Sequence, residues 1–311
     1  MKIFITGGCG YKGSVLITKL LSLNYKITNY DTQWFGNYLP KHKNLKNIKG
    51  DIRNFNNLSL SNYDAVIHLA SVSNDPCSDL NPKLSWEIGP LSSLLLIEKA
   101  IKAGVKKFIY ASSGSVYGIK KEKNVNENLS LKPISDYNKT KMTTEKVLLS
   151  YKDKISLTII RPATVCGLSP RMRFDLSVNV LTISALEKKI ITVFGGNQIR
   201  PNIHIDDLVD LYIFFLRSKK TGIFNAGFEN LKILKIAEII QKKTLCKIKI
   251  LRSNDPRSYR LSSDKLLKTG YRPKKNVEIA IDEIINAYKK GLIKNKLSNN
   301  NLKWMISKNF K

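Results

Sequence analysis

Ile3-Phe4-Ile5-Thr6-Gly7-Gly8-Cys9-Gly10-Tyr11-Lys12-Gly13 decides how the rest of the chain is read. Ile3 to Thr6 is a short β-rich run, and Gly13 to Leu23 has helical character. Lys26-Ile27-Thr28-Asn29-Tyr30-Asp31 is a second strand that ends in an acid 18 residues after Gly13. Strand, glycine turn, helix and strand make one crossover unit, and such units are right-handed and build a parallel sheet covered on both faces. Gly7, Gly10 and Gly13 let the backbone turn tightly and approach a pyrophosphate at a helix N-terminus, while Asp31 can accept hydrogen bonds from the adenosine ribose. Asp31 would repel a 2′-phosphate and Thr32-Gln33-Trp34 adds no Arg, so the pattern favours NAD over NADP. Lys12, on the loop itself, is the charge that could still meet such a phosphate.

Working outward, Ala65 to Leu69, Phe108 to Ala111 and Leu157 to Ile160 are further strands, with a helix expected from Pro82 to Ala103. The pattern predicts a doubly wound α/β fold with a parallel sheet. Its first lobe comprises residues 1–165, with about 200–226 returning to it. A smaller, discontinuous substrate lobe comprises 166–199 and 227–311. The tail from Asn295 to Lys311 is rich in Lys and Asn and is expected to be loosely ordered. Helix 82–103 carries Leu94, Leu95, Leu96 and Ile97 around its circumference, more apolar surface than one sheet contact needs, which suggests a homodimer.

At 311 residues, 42% hydrophobic and 25% charged, the chain can bury a sizeable core. No apolar run approaches a membrane span, Leu94 to Ile97 being followed at once by Glu98 and Lys99, and Gly7 and Gly8 interrupt the start before it could serve as a signal peptide. The expectation is a cytoplasmic enzyme without a membrane partner. Cys9, Cys77, Cys166 and Cys246 form no CxxC pair and His42, His68 and His204 are scattered, so neither a disulfide framework nor a metal site is expected. The net charge of +29 would suit a nucleic acid. However, ten of the 53 basic residues are Arg and the rest are Lys spread along the whole chain, so no nucleic-acid partner is expected. Most of the Arg lie between Arg161 and Arg260, where two-pronged grips on phosphate have most use.

Ser113, Tyr137 and Lys141 carry the chemistry. Tyr137 and Lys141 are four residues apart in Ser135-Asp136-Tyr137-Asn138-Lys139-Thr140-Lys141, so on a helix capped by Ser135 they share a face. Ser113 follows the strand Phe108 to Ala111 at the carboxyl edge of the sheet, where ligands of open α/β sheets bind. A tyrosine is a poor base near neutrality unless a cation favours its phenolate. Lys141 is placed to do that, with Tyr137 taking the proton of a substrate hydroxyl and Ser113 hydrogen-bonding the same oxygen.

TGGCGYKG at 6–13, Ser112-Ser113-Gly114-Ser115-Val116-Tyr117-Gly118 and the YNKTK helix together resemble the extended short-chain dehydrogenases/reductases, in particular the NAD-dependent nucleotide-sugar epimerase/dehydratase family, over residues 1 to about 290. The resemblance implies NAD held by Gly7, Gly10, Tyr11, Lys12, Gly13 and Asp31, with Asp51 and Ile52 near the adenine and Leu69, Ala70 and Ser71 beside the inner half, next to Tyr137 and Lys141. It implies a nucleotide-sugar substrate met by Ser113, Thr164, Asn179, Arg200, Arg252 and Asp255, with Arg171 and Arg173 as further candidates. The dimer is expected to form through helix 82–103 and the Tyr137 helix. Gly114-Ser115 stands where members that eliminate water carry an Asp-Glu pair, which disfavours a 4,6-dehydratase. Gly89 stands where an Asn is frequent, and Arg161-Pro162-Ala163-Thr164 stands where many 4-epimerases carry an Asn after Arg-Tyr-Phe. The implied reaction is epimerisation at C4 through a transient 4-keto sugar. The alternative is a nucleotide-sugar 4-dehydrogenase or ketoreductase, because Ala163-Thr164-Val165 with Ser169-Pro170-Arg171-Met172-Arg173 resembles a subgroup that includes nucleotide-heptose 4-dehydrogenases.

Overall fold

The computed structural model describes residues 1–54, 58–253 and 258–310. In chain order the first lobe runs β1 (Lys2–Thr6), α1 (Tyr11–Ser22), β2 (Lys26–Asp31), β3 (Leu45–Lys49) and β4 (Ala65–His68), then α2 (Asp75–Leu80), α3 (Pro82–Trp86), α4 (Ser92–Lys102), β5 (Lys107–Ala111), α5 (Asp136–Leu149) and β6 (Ser156–Pro162). Beyond it come β7 (Thr164–Cys166), α6 (Ser177–Lys188), β8 (Ile190–Phe194), β9 (Ile199–His204), α7 (Ile205–Arg217), β10 (Gly222–Ala226) and β11 (Glu229–Lys232). The chain closes with α8 (Ile233–Thr244), β12 (Lys247–Leu251), α9 (Asp264–Leu267), α10 (Val277–Lys289) and α11 (Asn301–Ser307).

Seven strands form the main sheet in the order β10-β6-β5-β4-β1-β2-β3, and every neighbouring pair in it is parallel. Alternation along β1 supplies both cores. Ile3 and Ile5 join Leu16, Leu20, Leu208 and Val209 from α1 and α7 on one face, while Phe4 joins Leu96, Ile97 and Leu148 from α4 and α5 on the other. The chain reverses direction across the sheet between β1 and β4, so the loops after these two strands enclose a crevice, where doubly wound folds bind ligands.

Several boundaries differ from the sequence reading. The helix expected over 82–103 is three pieces, because Pro90 falls inside it and the backbone passes Glu87–Leu91 as a π-turn before α4 begins. Proline lacks the N–H that a continuous helix needs there, and the wider turn absorbs its ring. Strand β9 pairs with β7 and β11 in a separate three-stranded sheet, and from Ile205 onward α7 packs against α1 and β5. The tail is ordered: Asn299, Asn301 and Met305 are buried, and α11 packs against α2 and the loop after β2.

Helix α5 starts as its sequence suggests, with the Ser135 side chain accepting a hydrogen bond from the Asn138 N–H at 3.2 Å. What fixes it against the sheet is polar. Glu145 and Arg161, 1% and 3% exposed, form a two-pronged pair at 2.9 Å (Nε to Oε1) and 2.6 Å (Nη2 to Oε2). Ser112 Oγ donates to the same carboxylate, and Arg161 Nη1 donates to Tyr117 Oη at 2.7 Å. Removing one member of a buried pair strands the other charge. Glu145→Ala is therefore expected to lower the unfolding free energy by about 3–5 kcal/mol, measured as a shift of the urea midpoint at unchanged slope. A shift equivalent to less than about 1 kcal/mol, the scale of an exposed ion pair, would show that the pair does not hold α5.

Candidate active site

One cavity collects Gly7, Gly10, Tyr11, Lys12, Gly13, Asp31, Asp51, Ile52, Leu69, Ala70, Ser71, Ser113, Tyr137, Lys141, Thr164 and Arg200 on its wall. The glycine loop explains its own composition. Gly7 has φ +75°, and a Cβ there would lie 2.6 Å from the Ala70 nitrogen; a Cβ on Gly13 would lie 2.5 Å from Gly8 Cα. Both positions demand glycine so that β1, α1 and the end of β4 can close together. At Gly10 an added Cβ would meet only the Gly7 carbonyl oxygen, at 3.3 Å, so this glycine keeps space clear. Helix α1 begins there with no side-chain cap and no acid in its first turn, which leaves its N–H groups available to an anion. The cradle fits a dinucleotide diphosphate.

Asp31 ends β2 and braces the loop, with Oδ2 accepting from the Cys9 N–H (2.9 Å) and Oδ1 from the Gln33 N–H (2.6 Å). Burial pushes its pKa up against these bonds and the nearby Arg171. Lys12 lines the same wall as Lys141 and Arg173. Desolvation, with Arg173, pushes its amine down to about 8. Asp51 lines the cavity, but its carboxylate is gripped by Arg53 at 2.8–3.1 Å, an interaction the sequence did not announce.

At the other end, Tyr137 and Ser113 share the cavity wall, and Ser113 Oγ lies 2.7 Å from Ser115 Oγ. Lys141 Nζ donates to the Ala111 carbonyl at 2.8 Å and sits 6.0 Å from the Tyr137 ring centroid. Burial raises the pKa of Tyr137 against the opposing influence of Ser113 and Arg173, and lowers that of Lys141 well below its usual value, helped by Lys12. Burial thus favours the phenol over the phenolate at Tyr137 and the neutral amine at Lys141. The amine is spent on a carbonyl and desolvated. His68, under the same floor, is a satisfied core residue. Its Nδ1 faces Thr6 Oγ1 at 2.6 Å and its Nε2 faces Ser93 Oγ at 2.8 Å, and burial pushes its pKa down to about 3.

The substrate candidates divide. Thr164 and Arg200 line the cavity beside Pro162 and Tyr259. Asn179 does not: it is fully buried, its Oδ1 accepting from the Gly167 N–H (3.2 Å) and its Nδ2 donating to Tyr11 Oη (3.1 Å) and the Arg173 carbonyl (3.1 Å). With its amide so occupied, Asn179 ties α6 to the loop after β7 beneath the site. Arg252 is exposed just beyond β12 and is absent from the cavity wall, while Asp255 falls outside the described residues. Sequence reasoning missed Ser73, Asn74 and Asn301, all on the wall. The signal that could have found Asn74 is its place before Asp75-Pro76, where its side chain caps α2 by accepting from the Cys77 N–H at 3.0 Å.

His204, Asp206 and Glu283 also converge, but Lys275 Nζ lies 2.6 Å from both carboxylates and stands where a cation would sit. All four cysteines are unpaired and buried. Among the described residues no helix is long and apolar enough to cross a membrane.

A model of the NAD-dependent epimerase/dehydratase family matches residues 3–227. The chain belongs to that family. It is 29% identical over 268 residues to a UDP-glucose 4-epimerase of Lactobacillus helveticus, covering 76% of this chain and 81% of the relative. It is 33% identical over 263 residues to an uncharacterised UDP-glucose epimerase of Bacillus subtilis, covering 78% and 81%. A UDP-glucose 4-epimerase of Thermotoga maritima solved with UDP-glucose superposes with a TM-score of 0.85 at 26% identity, over 94% of this chain and all of the other. A UDP-glucuronic acid 4-epimerase of Bacillus cereus, solved with UDP-glucuronic acid and NAD, gives 0.80 at 26% identity, with coverages of 94% and 100%. This family member is therefore an enzyme, and its cofactor is NAD.

Asp31→Ala is expected to weaken NAD more than NADP, because the change removes a hydrogen-bond acceptor at the ribose and the repulsion of a 2′-phosphate together. Titration of both cofactors into wild type and variant checks this, and an unchanged ratio of the two dissociation constants would remove Asp31 from that role.

Proposed function

We propose that the protein is a UDP-sugar 4-epimerase. The observation that carries this reading is the Ser113, Tyr137 and Lys141 set on the same cavity wall as the glycine loop, with Gly114 and Ser115 in place of eliminating acids. The uridine diphosphate rests on the names of the relatives. NAD supplies a hydride acceptor and donor and, when oxidised, a fixed positive charge that would shift the Tyr137 equilibrium towards phenolate. Tyr137 takes the proton of the sugar's C4 hydroxyl while Ser113 hydrogen-bonds the same oxygen. The resulting 4-keto sugar turns over within the cavity. Tyr137 then returns the proton to the oxygen as hydride is restored to the other face of C4. Thr164 borders the sugar, and Arg200 meets the substrate diphosphate, a role suited to a guanidinium.

The active form is a homodimer. Leu91 and Leu95, four residues apart, are 58% and 51% exposed on the flank of the π-turn and α4, next to α5. A second copy would cover this apolar stripe. Leu91→Glu with Leu95→Glu is expected to halve the mass seen by light scattering without loss of the far-ultraviolet helical signal; an unchanged mass would place any dimer elsewhere.

Epimerisation needs no net oxidant. Bound NAD alone is expected to support many turnovers of a UDP-sugar, with the C4 epimer identified by NMR, and Tyr137→Phe is expected to cut turnover by about a hundredfold or more with NAD still bound. Accumulation of one equivalent of NADH and a 4-keto sugar without epimer would make the protein a dehydrogenase.

A further inference from the structure

The carboxyl-terminal segment lies across the adenosine side of the cofactor cavity. Trp304 packs on Phe35 with centroids 4.8 Å apart, and Phe310 packs on Trp34 at 4.6 Å. Phe35 in turn carries the Arg171 guanidinium over its ring at 4.2 Å. Arg171 Nη2 donates to the Ser298 carbonyl at 3.1 Å and to Asn301 Oδ1 at 2.5 Å. Asn301 Nδ2 reaches Ser73 Oγ at 2.9 Å. Arg171, Asn301 and Phe35 all line the cavity.

The charges in this region are unequally matched. Arg173 is paired two-pronged with Asp175, at 2.8 and 3.0 Å. Arg171 is only 2% exposed, yet the hydrogen-bond partners of its side chain are a carbonyl and an amide oxygen, and its buried Nε has none. A buried guanidinium with no carboxylate in hydrogen-bond contact is costly, and an anion bound beside it would offset that cost. Burial and Arg173 push its pKa down to about 9, a displacement that a bound anion would reverse. Its place along the cavity identifies the anion. Asp31 marks the ribose end, Arg173 reaches Ser73 beyond β4, and Arg171 stands between them, over the Phe35 ring that follows β2 and linked through Asn301 to Ser73. Between the adenosine ribose and the nicotinamide of NAD stands its diphosphate.

We infer that Arg171 is a ligand of the NAD diphosphate and that residues 297–310 form a strap that holds Arg171 in place and slows cofactor release. The inference rests on the assignment of NAD to this cavity and deepens the proposed function, since an epimerase has to keep its reduced cofactor until hydride returns. Asn301 acts as a positioning residue, preorganising Arg171.

The test is release of radiolabelled NAD from the holoenzyme, chased with unlabelled NAD, alongside affinities for ADP and adenosine. Arg171→Met is expected to speed release by roughly tenfold to a hundredfold, the span of a lost charge-assisted hydrogen bond. Arg171→Lys, which keeps the charge but not the fork, should fall between it and wild type, and Asn301→Ala should shift release in the same direction by less. ADP should weaken along with NAD while adenosine does not. Unchanged release in a folded Arg171→Met protein, equal loss for adenosine and ADP, or a loss confined to NADP would overturn the inference. If Arg171→Met fails to fold, Arg171→Lys and Asn301→Ala are read against the same outcomes. No sugar enters the measurement, so failure of the epimerase reading would leave this result standing, and the reverse holds as well.

Discussion

The buried pairing of Glu145 with Arg161 is the joint on which the site depends. Glu145 lies two helical turns beyond Tyr137 on α5, and Arg161 lies on β6. The same carboxylate receives the hydroxyl of Ser112, the neighbour of Ser113, so one group sets the helix that carries the tyrosine relative to the strand end that carries the serine. Arg161 extends the arrangement through Tyr117 to Asn225 on β10. An apolar contact at this position could slide by a fraction of an ångström, whereas a two-pronged ion pair has a narrow geometry. Chemistry that relays a proton through a phenol needs that narrowness, because misplacement by about 1 Å is enough to cost orders of magnitude in rate.

Burial governs the electrostatics of the cavity as strongly as charge does. Lys12 and Lys141 are pushed towards their neutral forms and Tyr137 towards phenol. Each is a group whose charge is disfavoured until another charge arrives beside it. Such a cavity attracts an anionic, cation-bearing cofactor, since the diphosphate relieves the crowded cations and the nicotinamide supports a phenolate. The net charge of +29 is largely separate from this. It is carried mostly by Lys distributed along the chain, and the few Arg that matter most are sunk into the fold.

The second lobe is less self-contained than a domain. Strand β7 leaves the main sheet to pair with β9, α7 and β10 return to the first lobe, and the last helix returns once more to cover the cofactor side. The polypeptide therefore passes between lobes several times. Asn179 and Tyr11, from opposite lobes, meet in a hydrogen bond beneath the cavity, which ties the floor of the cofactor site to the loop that carries Arg171 and Arg173.

The sequence by itself determined the parallel sheet, the glycine turn, Asp31 at a strand end and the Ser135-capped helix that presents Tyr137 and Lys141. All of these rest on local rules, namely residue alternation, backbone freedom at glycine, capping and the spacing of four on a helix. Tertiary structure alone decided which polar side chains face the ligand. Asn179 and Arg200 look equally suited on paper, but packing turns the first into a buried tether and leaves the second on the cavity wall. Arg171 and Asn301 are 130 residues apart, and nothing local relates them. A tail of Lys and Asn reads as loose because its own sequence cannot bury it. It becomes ordered because Trp34, Phe35 and Arg171, distant in the chain, provide the surface on which Trp304 and Phe310 can pack.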